Sequence, residues 1–239
     1  MSNRTWVITG ATSNIAKELA HLAALAGHAL ILVGRDPKQL SVIAADIRLR
    51  YRVSCEALIQ DFSEDIRPLK AHLERCPDEV DLVIAHSLMI NNEKLNSEQI
   101  AALIKVNIES TIQLIHTYWH KPQSKHQLLF LSSVAAARGR AKNSLYGASK
   151  AAVEVYLQGL QQSASKTQHI TIARLGFIDT KLTFGEPGIF YAATPKSCAK
   201  ACWHALSARK RIFYFPFFWR FIMTIIRCLP FFVYKRMKV

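Results

Sequence analysis

The feature that most constrains this chain is an alternation: apolar runs of strand length recur, separated by amphipathic stretches of helix length. Thr5–Thr9, Ala29–Gly34, Ser54–Ile59, Asp81–His86, Gln127–Ser133, Ile170–Gly176 and Arg211–Phe215 read as strands. Between them, 15–26, 37–49, 66–75, 98–106 running into 110–119, 145–164 and 195–208 read as helices. Strand, helix, strand repeated in this way requires right-handed crossovers and a parallel sheet covered on both faces. The pattern therefore predicts an α/β fold with a doubly wound parallel sheet of about seven strands. In 239 residues, half of them hydrophobic, one such domain is the economical reading, and no internal repeat or low-complexity linker divides it. The division expected is a dinucleotide-binding body over residues 1–215 and a C-terminal tail over 216–239. The one long irregular stretch, 177–194, contains Gly185, Pro187 and Gly188 and ends at the helix start Thr194-Pro195. It leaves the carboxyl end of a strand, where a loop can act as a lid over a ligand.

Charge is distributed unevenly. Of the formal net +14, ten units come from Lys and Arg after Glu186, beyond which no acid occurs. Those basic residues are interleaved with large aliphatic and aromatic side chains, and no recognised binding module is present, so nucleic acid is not an expected partner. Five cysteines, odd in number and scattered, argue against a disulfide framework and for a reducing compartment. Cys198 and Cys202 share a helix face, yet only His204 stands near as a further ligand, so no metal site is expected. The first residues pass straight into a strand without an apolar leader segment, which places the expected location in the cytosol.

Thr9-Gly10-Ala11-Thr12-Ser13-Asn14-Ile15-Ala16 follows the first strand and opens the first helix. In that context a glycine turn becomes a phosphate cradle, because backbone amides and the positive end of the helix face the same point. Gly10, Thr12, Ser13, Asn14 and Ile15 are the candidate contacts. Gly10 makes the tight turn, Asn14 is read as supplying a positive φ in place of a second glycine, and Ala16 keeps the helix close to the strand. The second strand ends in Gly34-Arg35 rather than in an acid. A guanidinium there suits a ribose 2′-phosphate, so NADP(H) is the expected cofactor. Asp36 reads as the N-cap before Pro37. Asp61 stands either where an acid meets an adenine amine or as a turn residue.

Tyr146 and Lys150, four apart in Ser144-Leu145-Tyr146-Gly147-Ala148-Ser149-Lys150, lie on one helix face. A neighbouring ammonium favours the phenolate and brings a tyrosine into useful acid–base range. Ser133, thirteen residues earlier at a strand end, can hydrogen-bond a substrate oxygen; Asn107 can hold a helix kink that connects Lys150 to solvent. With the Thr9–Ala16 loop, these residues make the chain resemble the classical short-chain dehydrogenase/reductase family over roughly residues 5–215. The resemblance implies a Rossmann-type fold, a catalytic tetrad of Asn107, Ser133, Tyr146 and Lys150, a second role for Lys150 on the nicotinamide ribose, and a carboxamide contact at Thr180. It implies carbonyl reduction by NADPH and, by family habit, a homodimer or homotetramer. Two departures stand out: Ala85-His86-Ser87-Leu88 replaces the family's Asn-Asn-Ala-Gly, and Leu175-Gly176 replaces its Pro-Gly. His86 and Ser87 either touch the cofactor or form a satisfied pair behind it.

From Ile212 to Tyr234 the chain is apolar and aromatic, but Pro216, Pro230, Arg220 and Arg227 interrupt it. On a helix from about Phe217 to Cys228, Arg220, Thr224 and Arg227 form a polar stripe opposite Phe218, Trp219, Phe221, Ile222, Ile225 and Ile226. That pattern describes a helix lying in a membrane interface, with packing against the protein or a partner subunit, or a true span, as the other readings. This tail and the altered Asn-Asn-Ala-Gly region make the chain similar to a narrower branch, bacterial reductases such as decaprenylphosphoryl-2-keto-erythro-pentose reductase. That similarity implies a lipid-linked keto-sugar as substrate, peripheral membrane association and a place at the inner face of the membrane. Steroid, retinoid or fatty acyl carbonyls are alternative substrates, and a non-catalytic nucleotide-binding protein of the same fold is the alternative class.

Overall fold

The computed structural model describes residues 4–180 and 191–237. Seven strands form one sheet: β1 (Arg4–Thr9), β2 (Ala29–Gly34), β3 (Cys55–Ile59), β4 (Glu79–Ile84), β5 (His126–Ser133), β6 (Gln168–Leu175) and β7 (Ile212–Phe215). Their order is β3-β2-β1-β4-β5-β6-β7, and every neighbouring pair is parallel. The doubly wound sheet expected from the alternation of strands and helices is thus observed. The chain winds outward from β1 to β3 and then returns to place β4 on the other side of β1, so the switch point lies between β1 and β4. A crevice opens there at the carboxyl ends of the strands.

Helices cover both faces. α1 (Asn14–Leu25), α2 (Pro37–Tyr51) and α7 (Pro195–Ser207) enclose a core that includes Ile8, Leu19, Leu32, Leu40, Leu129 and Cys202. α3 (Arg67–Arg75), α5 (Ser110–Trp119) and α6 (Ser144–Ser163) enclose the other, around Val7, Val33, Leu82, Leu114, Phe130 and Leu157. Local chemistry starts these helices where the sequence placed them: Asp36 caps α2 through the Gln39 amide at 3.0 Å, and Thr194 caps α7 through the Ser197 amide at 3.2 Å. Asn96 and Gln99 form a reciprocal capping box on α4 (Ser97–Ile104). α4 ends earlier than its apolar pattern suggested, because Lys105–Glu109 widens into a π turn before α5 begins.

The C-terminal region departs from the sequence reading in arrangement. Phe217 and Phe218 belong to a turn in which the Arg220 amide donates to the Phe217 carbonyl at 3.0 Å, so α8 (Trp219–Cys228) starts later than Phe217. Its apolar residues do not share one outward face. Trp219 and Met223 are 4% and 1% exposed, packed with Ile222 and Ile226 against Val134, Phe177 and Tyr214. Burial of the two contributes on the order of 2–3 kcal/mol each. Phe217, Phe221 and Ile225 stay 63%, 58% and 62% exposed on a second stripe, followed by Phe231 and Phe232 in the short α9 (Phe231–Tyr234). Among the described residues no helix is long and apolar enough to cross a membrane.

Candidate active site

Strand register brings the site together. Ser133 at the end of β5 pairs with Leu175 on β6, which pairs with Phe215 on β7. Three strand ends therefore stand level, and the segments leaving them meet. Ser133 Oγ accepts from the Ala135 amide at 3.1 Å, capping the 3₁₀ turn Val134–Ala137, and its hydroxyl faces that of Tyr146. Gly147 lets α6 approach that turn, since a Cβ there would lie 2.6 Å from the Ala135 carbonyl oxygen. This close approach is what carries Tyr146 up to Ser133.

The Tyr146 hydroxyl stands beside those of Ser133 and of Ser87, in the segment after β4. Burial pushes its phenol above the ordinary value, while those two hydroxyls and the charge of Arg140 pull the other way. Lys150 lies a turn deeper. Its Nζ donates to the Leu131 carbonyl at 3.0 Å and stands 6.0 Å from the centre of the Tyr146 ring. Lys150 is turned towards the sheet, and Ser133, Ser87 and Arg140 are the groups here that favour the Tyr146 phenolate. Desolvation lowers Lys150 to about 8, against a partial restoring effect from Glu154. Glu154 is buried, paired with Arg174 at 2.6 Å and accepting from Ser132; Arg174 donates on to the Tyr214 hydroxyl at 2.7 Å. Nothing in the sequence pattern announced this network.

Asn107 sits in the π turn, 3% exposed. Its Nδ2 donates to the Leu88 carbonyl at 2.8 Å and to Ser149 Oγ at 3.0 Å, while its Oδ1 accepts from the Leu88 amide at 2.7 Å. It thus ties the segment after β4 to α6. Ser87 Oγ donates to the same Oδ1 at 3.5 Å, so Asn107 stands behind the hydroxyl that faces Tyr146. Ser87 is the member of the site that the spacing argument underrated. Its only signal was a hydroxyl where the family pattern has a methyl. His86, its neighbour, is fully satisfied: Nδ1 contacts Thr9 Oγ1 at 2.8 Å, Nε2 contacts Thr111 Oγ1 at 2.9 Å, and the ring stacks on Phe62 at 3.6 Å. Burial holds it neutral by bringing it down to about 3.

The loop after β1 has the shape a dinucleotide phosphate needs, with changes from the sequence reading. Gly10 adopts φ +61, and a Cβ there would lie 2.7 Å from the His86 amide nitrogen, so glycine is required on both counts. Asn14 does not supply a second unusual angle. It is the first residue of α1, and Arg52 and Arg209 are the non-glycine residues with positive φ among those described. Gly10 alone turns the chain, and Ser13 then caps the helix through the Ala16 amide at 3.3 Å. The Ser13 amide is occupied by the Gly10 carbonyl at 2.9 Å, so the amides of Asn14 and Ile15, at the first two helical positions, are the ones open to a phosphate, with Thr12 half-buried beside them. Arg35 is exposed at the end of β2 and, among the described residues, makes no hydrogen bond or ion pair; the bonds from Ser63 and, after them, the charge of Arg35 hold Asp61 below the ordinary carboxylate value. Asp61 Oδ1 accepts from the Ser63 amide at 2.9 Å, so the turn role is realised. Thr180 is half-buried at the last position before residues 181–190. Most of the expected lid, with Gly185, Pro187 and Gly188, lies outside the described residues.

The C-terminal region completes one wall. A Cβ on Gly176 would lie 2.0 Å from Trp219 Nε1, and the Phe177 and Trp219 rings meet edge to face at 5.5 Å. Arg138 donates to the carbonyls of Ile226 and of Leu229, ending α8 beside the turn that follows Ser133.

The family model for short chain dehydrogenase matches residues 4–186. An uncharacterized oxidoreductase of Staphylococcus epidermidis is 30% identical over 187 residues, covering 75% of this chain and 80% of that protein. One from Mycobacterium tuberculosis is 29% identical over 241 residues, covering 97% and 96%, and so extends through the C-terminal region. Among solved structures, a short-chain dehydrogenase from Sphingobium yanoikuyae in complex with NADPH superposes with a TM-score of 0.81 at 22% identity, covering 89% of this chain and 88% of that one. A 7beta-hydroxysteroid dehydrogenase superposes with a TM-score of 0.87 at 20% identity, covering 98% and 96%.

Proposed function

The chain belongs to the short chain dehydrogenase family, and from that premise we propose that it is an NADP(H)-dependent reductase converting a ketone to an alcohol at Tyr146. The observation that carries the reading is the Tyr146 hydroxyl set beside those of Ser133 and Ser87, with Lys150 one helical turn below. Bound NADPH supplies the hydride. Ser133 holds the substrate oxygen, Tyr146 gives that oxygen its proton, and Lys150 would hold the nicotinamide ribose. Gly10, Thr12, Ser13, Asn14 and Ile15 would cradle the pyrophosphate and Arg35 the 2′-phosphate, with Asp61 and Thr180 flanking the adenine and carboxamide ends. NADPH consumption is followed at 340 nm with a panel of ketones. Tyr146→Phe is expected to slow turnover by at least about 10²-fold with NADPH affinity retained. An unchanged rate in that variant, or equal affinity for NADH and NADPH, would sink the respective half of the reading.

The substrate we infer is amphipathic, a lipid-linked keto-sugar being one such molecule, met at the cytoplasmic face of a membrane. Support comes from the exposed apolar stripe of Phe217, Phe221 and Ile225 beside exposed Arg220 and Arg227, on the helix whose other side walls the site. Removing residues from Arg209 onward is not a clean test, since it would delete β7. Phe221→Ser combined with Ile225→Ser leaves the packed side intact. This variant is expected to lose binding to vesicles containing anionic phospholipid while keeping its unfolding temperature; undiminished sedimentation with vesicles would count against the reading.

A further inference from the structure

The segment between the turn Val134–Ala137 and α6 carries two arginines with different fates. Arg138 is consumed by the fold: besides ending α8, its guanidinium lies 3.9 Å from the centre of the Tyr234 ring. Arg140, two residues on, makes no hydrogen bond and no ion pair among the described residues. Its backbone is nonetheless fixed on both sides. The Tyr234 hydroxyl donates to the Gly139 carbonyl at 2.5 Å, and Asn92 donates through Nδ2 to the Ala141 carbonyl and through its amide to the Lys142 carbonyl, both at 2.7 Å. The side chain is therefore presented from a clamped stretch, and it is half-buried.

The contrast with other poorly exposed arginines is informative. Arg4 pairs with Glu79 and Asp81, and Arg174 pairs with Glu154. Among the described residues, Arg140 has two phenols within electrostatic reach, Tyr146 and Tyr234, and no carboxylate. A guanidinium withdrawn from water without a carboxylate is unfavourable, and such groups are kept where a ligand supplies the missing charge. No acid follows Glu186 in the chain, so the neighbouring C-terminal helices cannot provide it.

We propose that Arg140 is the receptor for an oxyanion carried by the substrate, a phosphate or a carboxylate, bound beside Tyr146 on the side of the pocket formed by α8 and α9. The forked donors of a guanidinium match two oxygens of such a group at once. This deepens the reductase reading and rests on it: the substrate class becomes a ketone bearing an anionic group. The anion distinguishes it from a steroid or retinoid carbonyl, which carries none.

The test uses the full chain saturated with NADPH and three probes sharing one apolar skeleton: geranyl phosphate, geranic acid and geraniol. Calorimetric titration is expected to show geranyl phosphate or geranic acid bound roughly tenfold to a hundredfold more tightly than geraniol, and whichever leads identifies the anion. Arg140→Gln should cut that preference to within about threefold while NADPH affinity is unchanged, and Arg140→Lys should restore part of it. Equal binding of all three probes by the unaltered protein, binding of none, or a preference that survives in Arg140→Gln would overturn the proposal. Failure to bind NADPH would instead break the reductase reading. Titrating the same probes into the free protein and its Arg140→Gln variant would then decide the anion site separately.

Discussion

His86 makes the segment between β4 and the candidate site sensitive to acid, and by an amount that can be worked out. The ring is buried, stacked on Phe62 and held between Thr9 and Thr111, and burial brings its pKa from 6.5 to about 3. Between those two values the unfolded chain binds a proton that the folded chain refuses, so stability falls as pH falls, by about 1.4 kcal/mol per unit. From pH 7 to pH 5 the loss assignable to this one ring is ~2 kcal/mol. Urea unfolding of the unaltered protein and of His86→Asn isolates it, because every other titrating group is common to both. At pH 7 the variant should be weaker by roughly 2–3 kcal/mol, having lost the ring stack and the bond to Thr111. At pH 5 most of that gap should have closed. A gap that stays constant between the two pH values would show that His86 is not held neutral by burial, and would refute the reasoning.

Two further outcomes follow from contacts around the site. Ser87→Ala removes a hydroxyl that favours the Tyr146 phenolate, so the ionisation of Tyr146, read at 295 nm as the difference from Tyr146→Phe, should move up by about half to one pH unit. An unmoved titration would leave Ser87 without a part in the proton's path. Gly176→Ala places a methyl carbon where the Trp219 ring stands, which should cost roughly 1–3 kcal/mol and loosen α8 from the body. Faster tryptic cleavage at the exposed Arg220 and Arg227, with the rest of the chain intact, is the expected sign; unchanged cleavage would mean the helix accommodates the change.

What could be read from the sequence was what repeats or lies close along the chain. Apolar strands, their order of appearance, the caps at Asp36 and Thr194 and the spacing of Tyr146 and Lys150 are all local; they located the sheet and picked out most of the residues that stand together in the candidate site. The error at Asn14 came from matching residues to a glycine pattern, when Gly10 makes the turn unaided and Ser13 sets the helix going. Hydrophobicity also cannot distinguish an apolar residue that packs from one that is left outside. Trp219 and Met223 look like Phe221 and Ile225 in the sequence, yet only the first pair meets Val134. The Glu154, Arg174 and Tyr214 network joins residues 20 and 40 apart, and contacts of that span follow from strand order, which no local pattern encodes.

The wall built by α8 also couples two places on the molecule. One side of the helix rests on Gly176 and Phe177, and the other faces outward through Phe221 and Ile225. Any ligand that holds the inner side in one position changes the free energy of whatever engages the outer side, and linkage makes the effect equal in both directions. If the outer stripe is the attachment face proposed above, occupancy of the site and attachment are not independent quantities: a substrate that tightens the wall must tighten attachment by the same factor, and one that needs the wall displaced must weaken it.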